Sequence, residues 1–132
     1  MPPKTSNTLT EAELRLMKIL WARGESTVAD LVTATNYEVQ LAYTSVLTTI
    51  RVLEKKGYVV HRQEGRAFLY SPRVAEHDAS RSEIRNVLHR FFGDSRERLL
   101  LSLLGDGEIT PKELKAVKEA IANAPEDSRK KR

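Results

Sequence analysis

The order in which helix and strand signals follow one another constrains the fold of this chain more than any other feature of the sequence. Thr10 and Glu13 have the spacing of a capping box, which begins an α-helix. Ser26 and Thr27 predict the start of a second, short helix. A third helix is predicted from about residue 41 to residue 56, because Gly57 is a residue type that ends helices.

A β-hairpin is predicted directly after the third helix. Residues 58–62 and 67–71 are runs of β-prone residues, and residues 63–66 join them through a short connection that contains Gly65. Pro72 closes the second run, since proline cannot donate a hydrogen bond to a neighbouring strand. Three helices followed by a two-stranded wing are the elements of a winged helix-turn-helix.

The second half of the chain is predicted to be purely helical. Residues 76–92 place apolar side chains at helical spacing, and a leucine-rich helix follows and ends at Gly105. Residues 110–113 combine an N-cap threonine, a proline at the first helical position and a glutamate at the third. The predicted fold class is therefore mainly α, with a small β wing and three C-terminal helices.

Positive charge is concentrated in one segment and one tail. The formal net charge of the chain is +4. Residues 42–75 carry six basic and two acidic side chains, and residues 128–132 carry four basic ones. A localised basic patch is typical of a nucleic-acid footprint, although a solvated charged surface has the same composition.

The outward face of the third helix has the composition of a DNA contact. The apolar residues predicted to face inward are Val46, Leu47, Ile50 and Leu53. The opposite face carries small hydroxylated residues with cations toward the C-terminal end. Such hydroxylated residues have lower helix propensity than alanine, glutamate or lysine, which argues against a role limited to solvating the helix. The predicted contacts to bases in the major groove are Tyr43, Thr44, Ser45, Thr48 and Arg51. The predicted contacts to phosphates are Lys55, Lys56, Arg62 and Arg66.

The aromatic residues of the predicted hairpin have two possible roles. Tyr58, Phe68 and Tyr70 could stack on nucleic acid, but aromatic residues in strands more often cover a small core. Phe68 is therefore expected to be a core residue.

The C-terminal helices are too apolar to stay uncovered in a single chain. The leucine-rich helix is apolar nearly all round, which is typical of a buried helix. Self-association would bury it, and a compact monomeric lobe of three helices is the alternative. The predicted dimerisation residues are Ile84, Leu88, Phe91, Phe92, Leu99, Leu100, Leu103, Leu104, Leu114, Val117 and Ile121.

The residues give no support to an enzyme or a metal protein. The chain has no cysteine, which excludes disulfides and cysteine-based metal sites. Its three histidines, His61, His77 and His89, are too far apart along the sequence to predict a shared metal. We expect no catalytic residue, no metal and no cofactor. Because no apolar run approaches about 20 residues and no secretory signal is apparent, we expect a cytoplasmic protein without direct membrane association.

Several motifs in the correct order resemble the BlaI/MecI/CopY penicillinase-repressor family. Residues 9–14 are similar to the opening of the family, and residues 42–50 are similar to its recognition helix. The further matching positions are Met17, Leu20, Trp21, Leu53, Lys56, Gly57, Arg66, Phe68, Tyr70, Pro72, Phe91, Phe92, Gly93, Leu99, Leu100, Glu113 and Leu114. The resemblance extends over roughly residues 9–122.

The resemblance implies a homodimeric repressor that binds a palindromic operator, often of antibiotic-response, stress or metal-homeostasis genes. In some members a membrane sensor-protease system triggers cleavage in the dimerisation region. Ser102 and Leu103 occupy the position of the Asn-Phe pair cleaved in those members and are the candidate cleavage position here. The cysteine-rich copper-sensing tail of other members is absent. An arginine common near the end of the recognition helix aligns with Val52, and Arg51 lies one position earlier.

The sequence thus predicts a sequence-specific repressor with four parts. Residues 1–8 are expected to be a disordered N-terminus, 9–75 the winged-helix DNA-binding domain, 76–124 the helical dimerisation domain and 125–132 a basic disordered tail. Two other function classes remain as alternatives. A winged-helix module for protein–protein interaction would show little salt-sensitive affinity for DNA, and an enzyme or small-molecule sensor would require a pocket with converging polar groups.

Overall fold

The computed structural model describes residues 8–105 and 109–124. Residues 1–7 of the N-terminus predicted to be disordered (residues 1–8), and the whole of the predicted basic tail (residues 125–132), lie outside the described residues. The elements, in chain order, are α1 (Glu11–Arg23), α2 (Val28–Thr35), α3 (Tyr43–Lys56), β1 (Val59–Glu64), β2 (Ala67–Pro72), α4 (Glu76–Phe92), α5 (Arg96–Gly105) and α6 (Pro111–Ala122). This order confirms the predicted fold class, which is mainly helical with one small hairpin.

The helices begin where the capping signals predict. In α1, α2 and α6 a threonine hydroxyl accepts a hydrogen bond from the backbone N–H three residues later, and the acidic side chain at that position accepts one from the threonine N–H. The three pairs are Thr10 with Glu13, Thr27 with Asp30, and Thr110 with Glu113. Gly57 ends α3 in the left-handed conformation, with φ of 92°, which glycine adopts without the penalty of a side chain.

A single core lies between α1, α2, α3 and the hairpin. The predicted inward residues Val46, Ile50 and Leu53 of α3 are buried, and Leu47 beside them is half-buried. The sequence did not predict Leu16, which is also buried, since α1 packs against α2, α3 and β2 at the same time. The other buried apolar members of the core are Met17, Leu20, Val28, Leu31, Tyr58, Val59, Tyr70 and Ala79.

The hairpin is tighter than the sequence predicted. Val59 pairs with Pro72 and Glu64 with Ala67, so the turn consists of Gly65 and Arg66 alone instead of four residues. β2 also pairs with the connection between α1 and α2, where Ser26 and Tyr70 exchange two backbone hydrogen bonds of 2.9 and 2.8 Å. The base of the wing is therefore fixed to the helical core on the side of β2.

The chain divides between Asn86 and Val87 into two compact units. The first unit includes the beginning of α4, where the Glu83 carboxylate accepts a 2.7 Å hydrogen bond from the Leu9 N–H. The Trp21 indole Nε1 donates to the Val74 carbonyl at 2.9 Å and joins α1 to the segment before α4. In the second unit, α5 and α6 contain no buried residue. Among the described helices, none has both the length and the apolar character that a membrane crossing requires.

One mostly buried ion pair joins the beginning of α1 to the end of α3. The Lys56 Nζ donates to the Glu13 Oε1 at 2.8 Å, and the same oxygen accepts the N–H of Thr10. Burial raises the pKa of the Glu13 carboxyl, but the hydrogen bonds from Lys56 and Thr10 and the charge of Lys56 outweigh burial and hold this pKa below its ordinary value. Glu13 thus caps α1 and fixes the C-terminal end of α3.

We expect Glu13→Gln to lower the free energy of unfolding by about 2 kcal/mol at pH 7, because glutamine keeps the cap but leaves the Lys56 ammonium without a counter-ion. The difference from the wild type should shrink in acid. A carboxyl whose pKa is lowered on folding stabilises above its unfolded value and loses that contribution as the pH falls through the folded value. Urea titrations between pH 3 and pH 7 measure both effects.

Glu113→Gln is the matched control, because Glu113 occupies the same capping position in α6, is exposed and forms no ion pair among the described residues. This control should change the free energy of unfolding by less than about 0.5 kcal/mol. Equal effects of the two substitutions at pH 7 would contradict the claim that the ion pair between Glu13 and Lys56 stabilises the fold.

Candidate nucleic-acid interface

The structure places all five predicted base-contact residues on one exposed face of α3. This face begins with Tyr43, Thr44 and Ser45 in the first turn and continues through Thr48 and Arg51, all of them exposed. The reverse side of the same helix is buried in the core. Since no acidic residue lies between Tyr43 and Arg51, a polyanion can approach this part of the face without meeting a carboxylate on α3.

The hydroxyls on this helix make hydrogen bonds that leave their oxygens available as acceptors. Thr48 Oγ1 donates to the Thr44 carbonyl at 2.9 Å, and Thr49 Oγ1 donates to the Ser45 carbonyl at 2.9 Å. Such bonding within a helix uses the hydroxyl proton and leaves the lone pairs of the oxygen. At the exposed Thr48, the surface therefore offers a methyl group and an acceptor, which suit a thymine methyl and the amino groups of adenine or cytosine.

The four predicted phosphate contacts fall into two groups. Lys55 and Arg66 are exposed and form no ion pair among the described residues, and the same holds for Arg51. Lys56 belongs to the ion pair with Glu13, and its side chain is only 18% exposed. The Arg62 guanidinium is bound by the carboxylates of Glu25 and Glu64. The structure therefore brings Lys55 and Arg66 to the surface as free cations and gives Lys56 and Arg62 carboxylate partners.

A groove separates α3 from the wing. Tyr43 and Arg51 line it from α3, Arg66 and Phe68 line it from the wing, and residues 27–29 at the start of α2 close it. Two cations that have no carboxylate partner within residues 8–105 and 109–124, and two exposed aromatic rings, thus face one concave surface. The charge of such a surface is compatible with a sugar–phosphate backbone.

The wing face that is directed toward α3 carries an interaction that the sequence analysis missed. The His61 ring stacks on Phe68 with a centroid distance of 4.8 Å and lies 5.3 Å from Tyr70. His61 Nδ1 lies 2.5 Å from the Glu54 Oε2 of α3. Burial, followed by the negative charge of Glu54, raises the pKa of the Tyr70 hydroxyl. The only sequence signal for this contact was the short connection through Gly57, which brings β1 and its His61 close to the end of α3.

Phe68 is not a core residue, contrary to the sequence-based expectation. Its side chain is 42% exposed. The register explains the difference, because Phe68 lies opposite Gln63, next to the last pair before the turn and beyond the reach of the three-helix core. The ring is covered on one side by His61 and is open on the other side to the groove.

Comparison with known proteins identifies the family. A profile described as the Penicillinase repressor family matches residues 9–123. The chain belongs to the penicillinase repressor family. This is a family of transcriptional repressors, which is not an enzyme class. The match confirms the family resemblance seen in the sequence.

The chain is also similar to individual proteins and to a solved structure. The "Penicillinase repressor" of Bacillus licheniformis is 24% identical over 106 residues, covering 80% of this chain and 83% of the relative. An "Uncharacterized 16.5 kDa protein in ptsI 3'region" of Latilactobacillus sakei is 24% identical over 127 residues, covering 93% and 87%. The solution structure of the DNA binding domain of the repressor BlaI is similar with a TM-score of 0.51 and 27% identity, covering 59% of this chain and 93% of that domain. The fold is a winged helix.

The predicted dimerisation residues of this penicillinase repressor family member differ in exposure. Most are exposed apolar side chains on α4, α5 and α6. The exposed members are Ile84, Phe91, Leu100, Leu103, Leu104, Val117 and Ile121; Phe92, Leu99 and Leu114 are half-buried, and Leu88 is buried. Ser102 and Leu103, the candidate cleavage position, are exposed residues within α5. Among the described residues, no three histidine or acidic side chains are grouped so that they could hold a metal ion.

Nearly isosteric substitutions on the two sides of α3 should change the free energy of unfolding by different amounts. Val46→Thr should lower the free energy of unfolding by about 1–3 kcal/mol, because it buries a hydroxyl in the core. Thr48→Val should change it by less than about 0.5 kcal/mol, since Thr48 is exposed. Chemical denaturation of both variants measures these changes. A large loss for Thr48→Val with no loss for Val46→Thr would contradict the orientation of α3.

Proposed function

We propose that this chain is a sequence-specific transcriptional repressor that binds duplex DNA as a homodimer. The observation that carries the proposal is the exposed face of α3, where hydroxyls and the free cations Arg51 and Lys55 stand in a row beside the free Arg66 of the wing. Membership of the penicillinase repressor family and likeness to the DNA binding domain of BlaI support the same conclusion.

In this proposal α3 lies in the major groove. The first turns of a recognition helix are the part that reaches base edges, which assigns base contacts to Tyr43, Thr44, Ser45 and Thr48. Arg51 lies farther along the same face and either reads a guanine or holds a phosphate. Lys55 and Arg66 hold phosphates on either side of the groove between α3 and the wing. Lys56 and Arg62 are less suited to this task, since each already has a carboxylate partner.

The apolar surface of the second unit supports the proposed self-association. α5 and α6 bury no residue within one chain, although Leu100, Leu101, Leu103 and Leu104 are exposed apolar residues close together on α5. Contiguous apolar surface of this kind is typical of a protein interface. A symmetric dimer would present two copies of α3, and its operator would therefore be a palindrome.

The targets are proposed to be antibiotic-response or stress genes, in line with the relative named penicillinase repressor. A repressor of this kind works at the DNA that it binds. In a bacterium this DNA lies in the cytoplasm. Cleavage at Ser102 and Leu103 by a membrane sensor-protease system would release the repressor by disrupting α5 in the dimerisation region.

Substitutions on the wing and on α3 should affect DNA binding differently. Arg66→Gln should weaken binding to all duplexes by a similar factor and reduce the slope of log affinity against log salt by about one, because it removes one phosphate contact. Thr44→Ala should keep the slope but change which sequences are preferred. Fluorescence anisotropy with labelled duplexes between about 50 and 300 mM salt measures affinity and slope, and selection from a random DNA pool measures preference.

Lys18→Gln is the control for the loss of one positive charge, since Lys18 lies on α1, outside the face of α3 and the groove. It should leave the slope nearly unchanged. The docking geometry would be wrong if Lys18→Gln and Arg66→Gln reduced affinity and slope equally. An absence of salt-sensitive binding to any duplex by the wild-type chain would contradict the proposed function itself and favour a protein-interaction module.

The dimer should depend on the apolar residues of α5. Leu101→Glu should shift the protein from twice the chain mass to the chain mass, because Leu101 is 58% exposed and would place a charge in the interface. Tyr37→Glu is the matched control, since Tyr37 is 89% exposed and lies in the connection between α2 and α3. Sedimentation velocity measures both masses. A wild-type protein with the mass of one chain at micromolar concentration would exclude the dimer.

A further inference from the structure

The most completely bonded cation on the described surface is Arg62 of β1. Its Nε donates to Glu25 Oε2 at 2.7 Å and its Nη2 donates to Glu25 Oε1 at 2.8 Å, which makes a two-pronged pair. Its Nη1 donates to Glu64 Oε2 at 2.7 Å. The side chains of Arg62 and Glu25 are 53% and 35% exposed. All three guanidinium nitrogens therefore have carboxylate partners at the protein surface.

The pair with Glu25 connects the wing to the helical core across an intervening strand. Arg62 lies opposite Leu69 of β2, and β2 is itself paired with Ser26, the residue after Glu25. The Arg62 side chain thus passes over β2 to reach the connection between α1 and α2. This contact joins β1, the outer strand of the wing, to the same connection that β2 reaches through the backbone hydrogen bonds between Tyr70 and Ser26.

The wing is held from both of its faces. Successive residues of a strand point to opposite faces, so Arg62 and His61 are directed to opposite sides of the hairpin. His61 contacts Glu54 of α3 on one side, and Arg62 contacts Glu25 on the other. Two polar contacts, one with α3 and one with the connection between α1 and α2, therefore restrict the angle of the hairpin relative to α3.

The charges around Arg62 do not favour a phosphate. Glu25 and Glu64 together carry two negative charges, whereas Arg62 carries one positive charge. The hydrogen bond from Arg62 lowers the pKa of the Glu25 carboxyl, so this carboxyl stays ionised. Arg66, four residues later at the turn, has no carboxylate partner among the described residues. Of these two wing arginines, Arg66 is thus the one better suited to bind an anion.

We propose that Arg62 is a positioning residue and makes no phosphate contact of its own. Glu25 and Glu64 hold Arg62, and the wing therefore keeps Arg66 at a fixed distance from α3. This inference rests on the proposed DNA binding. Because the contact is half exposed, its removal should leave the fold intact while the wing gains freedom that must be lost again when DNA binds.

The test compares affinity and salt slope for Glu25→Gln, Arg62→Gln and Arg62→Lys on one duplex. If Arg62 positions the wing, all three variants lose affinity by a similar factor and keep the wild-type slope. Glu25→Gln would lose affinity even though it removes a negative charge. Arg62→Lys would not be rescued by its retained charge, because an ammonium lacks the planar fork that binds a carboxylate at two points.

A phosphate contact by Arg62 predicts the opposite set of results. Glu25→Gln would then free the guanidinium and raise affinity, Arg62→Gln would reduce the slope by about one, and Arg62→Lys would bind nearly as well as the wild type. Any of these three results would overturn the proposal. Glu38→Gln is the charge-matched control for Glu25→Gln, since Glu38 is exposed and forms no ion pair among the described residues.

Hydrogen exchange of the protein without DNA separates this inference from the proposed function. Glu25→Gln should increase the exchange of amides in residues 60–69, whereas Glu38→Gln should leave them unchanged. If the wild-type chain bound no duplex, the proposed function would fail while the exchange measurement still decided whether Glu25 holds the wing. Unchanged exchange in Glu25→Gln would overturn the positioning role.

Discussion

Burial of one side of α3 is the constraint on which the rest of the structure depends. Val46, Ile50 and Leu53 are held in the core by α1, α2 and the base of the hairpin, so the opposite side of α3 must face outward. The ion pair between Lys56 and Glu13 and the left-handed Gly57 then fix where α3 ends and where β1 begins. The position of the exposed face, and of the wing beside it, is thus a consequence of apolar packing.

Basic residues that look alike in the sequence have different tasks in the structure. Lys56 joins two helices, Arg62 joins the wing to the core, and Lys55 and Arg66 remain without carboxylate partners among the described residues. Local composition identifies the basic segment, but the task of each cation depends on which carboxylate lies within reach. A footprint inferred from charge alone therefore overestimates the number of cations available to a polyanion.

Local signals predicted much of the fold, and contacts between distant residues explain where prediction failed. Capping boxes, the glycine after α3 and the apolar periodicity of α3 depend on neighbours within four residues, and the structure agrees with all three. The pair of Arg62 with Glu25 spans 37 positions, and no local pattern indicates it. Phe68 was misplaced for a similar reason, because strand propensity does not say how far a hairpin projects beyond its core.

Titration of the isotopically labelled chain with a short duplex at low ionic strength, followed through amide chemical shifts, shows directly which residues contact DNA. We expect changes concentrated in residues 43–55 and 64–68, which reverse when salt is added. Changes confined to residues 76–122, or no changes at a duplex concentration well above that of the protein, would contradict the claim that the outward face of α3 and the wing form a DNA-binding surface.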